Sequence, residues 1–358
     1  MEGDTVDHAA GNSTAGENIG REHPPTIADL GELGLLQRLF RYCPSDVVGD
    51  DGAVVALPTG HSLVVTTDVL VDGVHFSDRT TAPADVGWRA VAANLSDLAA
   101  MGATPLGITV GLSLPGHTPL AWVEGLYQGM ADCLAPWGGA VLGGDLCRAD
   151  TRSVAITALG SVVPQRALYR SRAQPGQVIV VTGYHGQSRA GLELLLHPER
   201  GDGVAPDDRD RWIAAHQRPR PRLDAIAALW QILGDAVDAG AIAAMDSSDG
   251  LANAVLQLCQ ASGVGARLAE ADLPLDPALV AWVGRDRALD WCLYGGEDFE
   301  LVLCLPWAVA QALQDRLGGD CAIVGEITPD PGVDLGLTTQ ATPLALSLSQ
   351  GFQHFQRP

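Results

Sequence analysis

Lysine is absent from this sequence, and all 22 of its basic residues are arginines. The absence excludes a Walker-A phosphate loop, a protein-kinase active site and Schiff-base chemistry, each of which requires a lysine. With 43 acidic residues the formal net charge is −21. We therefore expect no nucleic-acid partner, because non-specific binding to a phosphate backbone needs a basic surface. If the chain binds phosphate groups, arginine side chains, backbone N–H groups and metal ions must do so.

Long apolar runs and paired cysteines are also absent. No stretch approaches the roughly 20 apolar residues of a membrane span, and we expect no membrane partner. Residues 1–25 are polar and acidic, without the basic and apolar regions of a signal peptide, and we interpret them as a disordered leader. The seven cysteines are scattered and form no C-x-x-C pair, which argues against a zinc site and against a disulfide framework. These features favour a cytoplasmic protein.

The length and the hydrophobic pattern indicate two domains. A chain of 358 residues can form two domains, each with its own core. Short apolar segments typical of strands alternate with helical patterns, which predicts an α/β fold with α+β layering. The clearest helix is predicted at 83–102, the stretch 54–58 (VVALP) is predicted as a strand, and the proline-broken stretch 199–222 as a loop. A linker-like segment, PQRALYRSRAQPG, separates the predicted domains, 26–163 and 164–358.

Five short segments place an acidic residue beside Gly, Ser or Thr, next to an apolar run. They are VVGDDGAVV, LVVTTDVLVDG, AVLGGD, AAMDSSDGLANAV and LYGGEDFELVL. Any one of them could be an ordinary turn or a helix cap. Together, many carboxylates at strand ends would form an oxygen-rich site for hard cations, and Mg²⁺ prefers one or two carboxylates with water and phosphate oxygens. We therefore expect several Mg²⁺ ions, with Mn²⁺ as a substitute, that bind a polyphosphate.

In their order along the chain, these segments resemble the thiamine-monophosphate kinase family of the aminoimidazole-ribonucleotide-synthetase-like superfamily. The matching pieces are GDDGAVV, TTDVLVDGVHF, WRAVAANLSDLAAMGATP, GGDLCRAD, YRSRAQPGQVIVVTG, DSSDGLANAV and YGGEDFEL, with GFQHF at the C-terminus. The resemblance implies transfer of the γ-phosphoryl group of ATP to thiamine monophosphate, which gives thiamine diphosphate. It also implies a two-domain aminoimidazole-ribonucleotide-synthetase-like fold. In that fold the N-terminal domain binds ATP and metal and dimerises through its sheet, so a homodimer is expected.

The resemblance further implies the residues of the site. Positions that match metal ligands are Asp51, Thr66, Thr67, Asp68, Asp97, Asp145, Asp246 and Asp249. Positions that match contacts to ATP are Tyr127, Gly144, Asp145, Arg170 and Ser248. Positions that match contacts to thiamine monophosphate are His75, Glu297 and Phe352. We expect no general base, because the attacking oxygen belongs to a phosphate that is already anionic at neutral pH.

Three alternatives remain at this stage. An aminoimidazole-ribonucleotide synthetase also uses ATP and similar acidic motifs, so only its product would separate it from a kinase. A selenophosphate synthetase would need a reactive cysteine near a glycine-rich N-terminal loop, and Cys43, the first cysteine, lies in RYCPSD without that context. A metal-binding or nucleotide-sensing module would bind ATP without turnover.

Overall fold

The computed structural model describes residues 24–45, 47, 51–234 and 241–351. Residues 1–23 of the expected leader lie outside these described residues, and so does Phe352, which is a predicted substrate contact. The last two residues of the predicted leader are described. The carbonyl of Pro25 accepts a hydrogen bond of 2.9 Å from the N–H of Leu120, which ties this point of the chain to the first half of the molecule.

The first half contains a four-stranded sheet. Its elements are α1 (Ile27–Leu39), β1 (Ser62–Val71), α2 (Pro83–Ala100), β2 (Thr104–Leu114), α3 (Leu120–Leu134), β3 (Val141–Arg148) and β4 (Ser153–Val162). The strand order is β1-β4-β2-β3. Strand β4 runs antiparallel to both of its neighbours, and β2 runs parallel to β3. This order leaves β1 at one edge and β3 at the other. Helix α2 packs on the sheet and on α3.

One face of the first sheet is open. Successive side chains of a strand point to opposite faces, and along β1 the more exposed positions alternate with more buried ones. Three apolar side chains lie on the exposed positions: Leu63 is 47% exposed, Val65 55% and Val69 49%. The positions between them, which include Thr66 and Asp68, are partly buried on the side of α2. The sheet therefore has a covered face and an apolar open face.

The second half contains a seven-stranded mixed sheet. Its elements are β5 (Val178–Thr182), α4 (Gln187–Leu196), α5 (Pro206–Gln217), α6 (Leu223–Leu233), β6 (Ala243–Asp246), α7 (Leu251–Ser262), β7 (Gly265–Ala269), α8 (Pro277–Val283), α9 (Arg285–Tyr294), β8 (Leu301–Leu305), α10 (Trp307–Leu317), β9 (Cys321–Thr328), β10 (Gly332–Gly336) and β11 (Leu344–Ala345). The strand order is β11-β10-β7-β9-β5-β8-β6. Strand β6 is therefore an edge strand, and α2 of the first half packs beside it.

A continuous apolar core joins the two halves. The cluster of buried side chains around α2, which includes Leu95 and Leu98, continues into α6 through Leu229 and into β8 through Leu303. The open edge of the second sheet is thus covered by a helix that belongs to the first half. This packing places the end of β6 next to the last turns of α2, where the site described below is located.

The structure confirms the predicted fold class and the helix at 83–102, which ends in Gly102 at a left-handed φ of 72°. Two local predictions were wrong. Residues 54–58 form no strand, and the stretch predicted as a loop at 199–222 contains helix α5. Helix α5 buries only Trp212 and His216, so its hydrophobic pattern is weak. No helix within the described ranges is long and apolar enough to cross a membrane.

Candidate active site

A cavity of about 1000 Å³ lies between the two halves of the molecule. Strand β1 and helix α2 contribute to one side, and α4, α9 and the turns around 248 and 296 contribute to the other. Six of the predicted site residues line it: Thr67, Asp68, His75, Ser248, Asp249 and Glu297. The structure therefore brings together residues predicted to bind metal, ATP and thiamine monophosphate.

Four carboxylates interact at one end of this cavity. Burial raises the pKa of Asp68 to about 6, and repulsion from Asp97 and Asp249 adds to the effect. Burial likewise raises the pKa of Asp246 to about 7, with repulsion from Asp97 and Asp68. The pKa of Asp97 is also raised, mainly by burial, although Thr66 and Arg170 oppose the shift. These side chains hold more negative charge than their surroundings compensate, which is the condition that a bound cation relieves.

Hydroxyl groups orient two of these carboxylates. Ser96 on α2 donates to one oxygen of Asp246 at 3.0 Å, and Ser248 donates to the other at 3.3 Å. Thr66 on β1 donates a hydrogen bond to Asp97 on α2. The serines and threonine thus connect β1, α2 and the end of β6 through short polar contacts. Ser96 was not predicted from the sequence, where it is one of several small residues in a buried helix.

The turn after β6 is held tightly in place. The N–H of Gly250 donates to the carbonyl of Ser247 at 3.0 Å, and Gly250 has a φ of 95°, which disfavours a side chain. A Cβ at this position would also meet the carbonyl oxygen of Leu293 at 2.7 Å. Because glycine permits this turn, Asp246 and Asp249 stay on either side of Ser247 and Ser248 immediately before α7 begins.

Glu297 lies in a strained loop on the same side of the cavity as the turn that follows β6. It has a left-handed φ of 58°, which is unfavourable for a residue with a side chain. Its N–H donates to the carbonyl of Ser248 at 2.6 Å, so this loop is fastened directly to the turn that carries Asp249. Its carboxylate accepts a hydrogen bond of 2.7 Å from Arg89 of α2. Arg89 was missed from the sequence, because an arginine within a helical pattern normally indicates a solvated face.

His75 lines the main cavity, and Arg170 lies near the carboxylate of Asp97. The Nδ1 atom of His75 accepts a hydrogen bond of 3.0 Å from the N–H of Val71, at the end of β1. Arg170 lies in a single 3₁₀ turn after β4, where its guanidinium donates to Gln257 at 2.8 Å and lowers the pKa of Asp97. The side chain of Arg170 is therefore close enough to the carboxylates to influence their charge.

A second cavity, of about 650 Å³, lies at the β3 edge of the first sheet. Four predicted residues line it: Asp51, Tyr127, Gly144 and Asp145. The strand register places Asp68, Ile156, Val110 and Gly144 in one row across the sheet. At about 4.8 Å per strand, three steps separate the two groups by roughly 14 Å. Within a single chain, the structure does not bring all of the predicted metal ligands together.

Neither group forms a complete metal site by itself. Across the ranges that the structure describes, no three His, Cys, Asp or Glu side chains are arranged so that they could hold a metal ion. The donor set is nevertheless made of carboxylate and hydroxyl oxygens, which are the ligands that Mg²⁺ prefers. It fits ions that arrive with part of their coordination supplied by phosphate oxygens and water.

Comparison with known proteins identifies the family. The family model described as AIR synthase related protein, N-terminal domain, matches residues 49–162, and the model of the corresponding C-terminal domain matches 174–338. Over 334 residues the chain is 49% identical to the thiamine-monophosphate kinase of Synechococcus elongatus, which covers 92% of this chain and 98% of the relative. The chain belongs to the thiamine-monophosphate kinase family.

Solved structures agree with this membership. A thiamine-monophosphate kinase from Stenotrophomonas maltophilia superposes with a TM-score of 0.74 at 32% identity, over 87% of this chain and 98% of that one. The structure of AaThiL complexed with AMPPCP and TMP superposes with a TM-score of 0.67 at 31% identity, over 89% of this chain and 97% of that one. The fold of this chain is thus similar over most of its length to the folds of both solved structures.

Proposed function

We propose that this protein transfers the γ-phosphoryl group of ATP to the phosphate of thiamine monophosphate, which gives thiamine diphosphate and ADP. The observation that carries the proposal is that Asp68 and Asp249 line one cavity with His75 and Glu297, in a chain of this family. Asp97 and Asp246 lie close enough to raise the pKa of a neighbouring carboxylate there. Family membership alone would not place acidic and substrate-contacting positions beside one another in this chain. Their common location supports a single site for two phosphate-bearing molecules.

The chemistry needs no proton acceptor on the acceptor side. A phosphate monoester oxygen is already anionic at neutral pH, so the remaining obstacle is the repulsion between two polyanions. Arg170 contributes positive charge near Asp97. Positioning and charge stabilisation would therefore supply the rate enhancement, without a phosphoenzyme.

We propose that Mg²⁺ ions, or Mn²⁺ as a substitute, bind at the predicted oxygen ligands. Asp68, Asp97, Asp246, Asp249 and Thr66 would hold ions at the main cavity, with Thr67 beside them. Asp51 and Asp145 would do so at the second one. When bound, the ions supply positive charge that neutralises the polyphosphate. The side chains of this chain set where that charge lies, because Ser96, Ser248 and Thr66 fix the orientation of the carboxylates.

We also propose that ATP spans residues of both cavities and that the active form is a homodimer. Tyr127, Gly144 and Asp145 would contact the nucleotide at the β3 edge, and Ser248 and Arg170 would do so at the main cavity.

The apolar open face of the first sheet supports a dimer, because Leu63, Val65 and Val69 are exposed there. We further propose that the chain divides into domains at 26–163 and 164–358, and the presence of one sheet in each part supports this division.

A cytoplasmic location belongs to the same proposal. All seven cysteines lie in the described residues and none of them is in a disulfide, which suits a reducing compartment. Thiamine monophosphate and ATP are the proposed small-molecule partners, and their cytoplasmic supply would fit this location.

The decisive measurement is ADP release with three acceptors at matched concentrations: thiamine monophosphate, free thiamine and aminoimidazole-ribonucleotide precursors. We expect ADP and thiamine diphosphate from thiamine monophosphate, little turnover on free thiamine, and loss of activity after chelation that Mg²⁺ restores. We expect free thiamine to be a poor acceptor because its hydroxyl must lose a proton, whereas the phosphate oxygen of thiamine monophosphate is already anionic.

Three results would count against the proposal. Comparable rates on free thiamine would mean that the site contains a base we have missed. Turnover only with an aminoimidazole precursor would identify a synthetase. Binding of ATP without ADP release under any acceptor would identify a nucleotide-sensing module.

A further inference from the structure

Arg89 is a buried cation in the middle of α2, only 2% exposed, on the wall of the main cavity. Removal of a guanidinium from water is costly unless hydrogen bonds and an opposite charge compensate for it. A helix that packs against two sheets could have held an apolar residue at this position at less cost. The contacts of Arg89 should therefore show which groups compensate for its burial.

Arg89 is paired with a single carboxylate, that of Glu297. One terminal nitrogen of Arg89 donates to Oε1 of Glu297 at 2.7 Å, and the other donates to the carbonyl of His216 at 2.5 Å. The second nitrogen also lies 3.1 Å from both ring nitrogens of His216. Burial and the neighbouring arginines lower the pKa of His216 to about 2, so its ring is neutral and does not compensate for the charge of Arg89. Among the described residues, Glu297 is the acidic group that does.

His216 fixes the direction of the guanidinium. Its ring is buried at the end of α5, and its Nδ1 atom lies 3.2 Å from the hydroxyl of Ser188 on α4. Arg89 is thus held from α5, while its other end reaches the strained loop of Glu297. The Nε atom of Arg89 is buried and has no hydrogen-bond partner among the described residues. The side chain thus leaves one donor unsatisfied in the position from which it contacts Glu297 and His216.

Glu297 is held by its backbone and by its side chain from different directions. The N–H of Glu297 is bonded to the turn that carries Asp249, and its carboxylate is bonded to α2 of the first half. The carboxylate is about one-third exposed and lines the cavity. Without Arg89 the carboxylate would be free to rotate toward water, since Oε2 lies 3.8 Å from Nδ1 of His216, beyond hydrogen-bond distance.

We propose that Arg89 is a positioning residue that acts through Glu297, and that His216 in turn orients Arg89, so that the carboxylate is fixed for the thiamine end of the acceptor. This inference rests on the proposed function, because it assumes that Glu297 contacts thiamine monophosphate. It assigns a role to Arg89 and His216, neither of which is among the site residues predicted from the sequence.

The test is a double-mutant cycle of Arg89→Lys and Glu297→Gln, assayed by ADP release with thiamine monophosphate and ATP varied separately. Lysine keeps the charge but cannot bridge Glu297 and His216 with two nitrogens. We expect Arg89→Lys to raise the KM for thiamine monophosphate by about tenfold, the effect of one lost charge-assisted hydrogen bond, with little change in the KM for ATP. In the Glu297→Gln background the same substitution should change that KM less than about twofold, because the group through which it acts is already altered.

Arg222→Met is the matched control. Arg222 is 1% exposed and paired with Glu300 at 2.7 Å, as deeply buried as Arg89, but it does not line the cavity. Its loss should lower the melting temperature without a selective change in the KM for thiamine monophosphate. Full additivity of Arg89→Lys and Glu297→Gln, or equal changes in both KM values, would overturn the inference and leave Arg89 a structural residue. A wild-type protein without activity on thiamine monophosphate would instead refute the proposed function.

Discussion

Asp246 combines deep burial with negatively charged neighbours. It is 2% exposed at the end of β6, and its neighbours include the carboxylates of Asp97 and Asp68. Two serine hydroxyls donate to it, yet burial and repulsion still raise its pKa to about 7. The buried carboxylate of Asp276, by comparison, is paired with Arg211 at 2.7 Å. The surroundings of Asp246 suit a metal ligand, whose negative charge a bound cation would balance.

The raised pKa gives a prediction about stability. An unfolded aspartate titrates near 3.8, whereas Asp246 titrates near 7 in the folded protein, so the folded state binds more protons between these values. Without metal ions, the contribution of Asp246 to the free energy of unfolding is therefore fully present below pH 4 and lost as the pH rises through 7. Asp246→Asn should flatten this decrease. Urea denaturation of both proteins in chelator between pH 5 and 8 measures the difference in slope.

Asp334→Asn is the control for that comparison, since Asp334 is exposed on β10 and its replacement should leave the slope of the wild type. Asp298, whose pKa burial also raises to about 7, contributes equally to all three proteins and cancels from the differences. Identical slopes in the wild type and Asp246→Asn would show that the carboxylate is not strained by its neighbours.

At the scale of single elements, helix α4 depends on a distant side chain. Its N-cap is Gly186, which has no side chain to cap the helix. The carboxylate of Asp298 takes that role, since it accepts hydrogen bonds from the N–H groups of Gly186 at 2.7 Å and Ser188 at 2.9 Å. The loop that carries Glu297 is thus also the cap of α4.

We expect Asp298→Ala to lower the free energy of unfolding by about 1–2 kcal/mol, the usual effect of a lost N-cap, and more if the freed N–H groups stay buried. Chemical denaturation at pH 6 is the measurement, because the contribution of a carboxyl with a raised pKa to the free energy of unfolding is lost as the pH rises through 7. Asp315→Ala on the exposed side of α10 should change stability by less than about 0.5 kcal/mol. A similar small effect at Asp298 would mean that the cap contributes nothing to the fold.

The elements also show what the sequence could reveal. Helix α2 was predictable because its buried face repeats at helical spacing and Gly102 marks its end. Helix α5 was not, since only two of its residues are buried, although the proline at its start and Asp207 and Asp208 in its first turn were available as signals.

In the candidate site, too, some residues could be predicted from the sequence and others could not. The acidic motifs identified Asp68, Asp246 and Asp249 because each lies in a short local pattern. The pair of Arg89 and Glu297 spans 208 positions, and no local pattern predicts a contact between a helix and a loop so far apart. The division of the predicted ligands between two cavities was equally hidden, because it depends on the strand order of the first sheet.

At the scale of the whole molecule, the open face of the first sheet leaves apolar side chains in water. If this face forms the proposed homodimer, a charge placed at its centre would have to be buried without a partner, which costs several kcal/mol. We therefore expect Val65→Asp to give monomers by light scattering and to lower the rate of ADP release at least about tenfold. A dimeric Val65→Asp protein with normal activity would place the interface elsewhere.

Leu344→Asp provides the comparison, because Leu344 is 39% exposed on β11 of the second sheet, away from the open face. It should leave both the oligomeric state and the rate of ADP release unchanged. A monomer with full activity in Val65→Asp would separate the two proposals, since the dimer would then exist without being needed for turnover.

The carboxylates around the main cavity come from β1, α2, the end of β6 and the turn before α7, and these lie in both halves of the chain. During synthesis on the ribosome, residues 26–163 of the first half are made before Asp246 and Asp249. A nascent chain therefore has no complete pocket in which to trap ATP. The carboxylates of the two halves come together only once both halves have folded, so only the fully folded chain can bind substrate. Bound nucleotide would therefore protect the mature enzyme, but not its unfinished precursors, from cellular proteases.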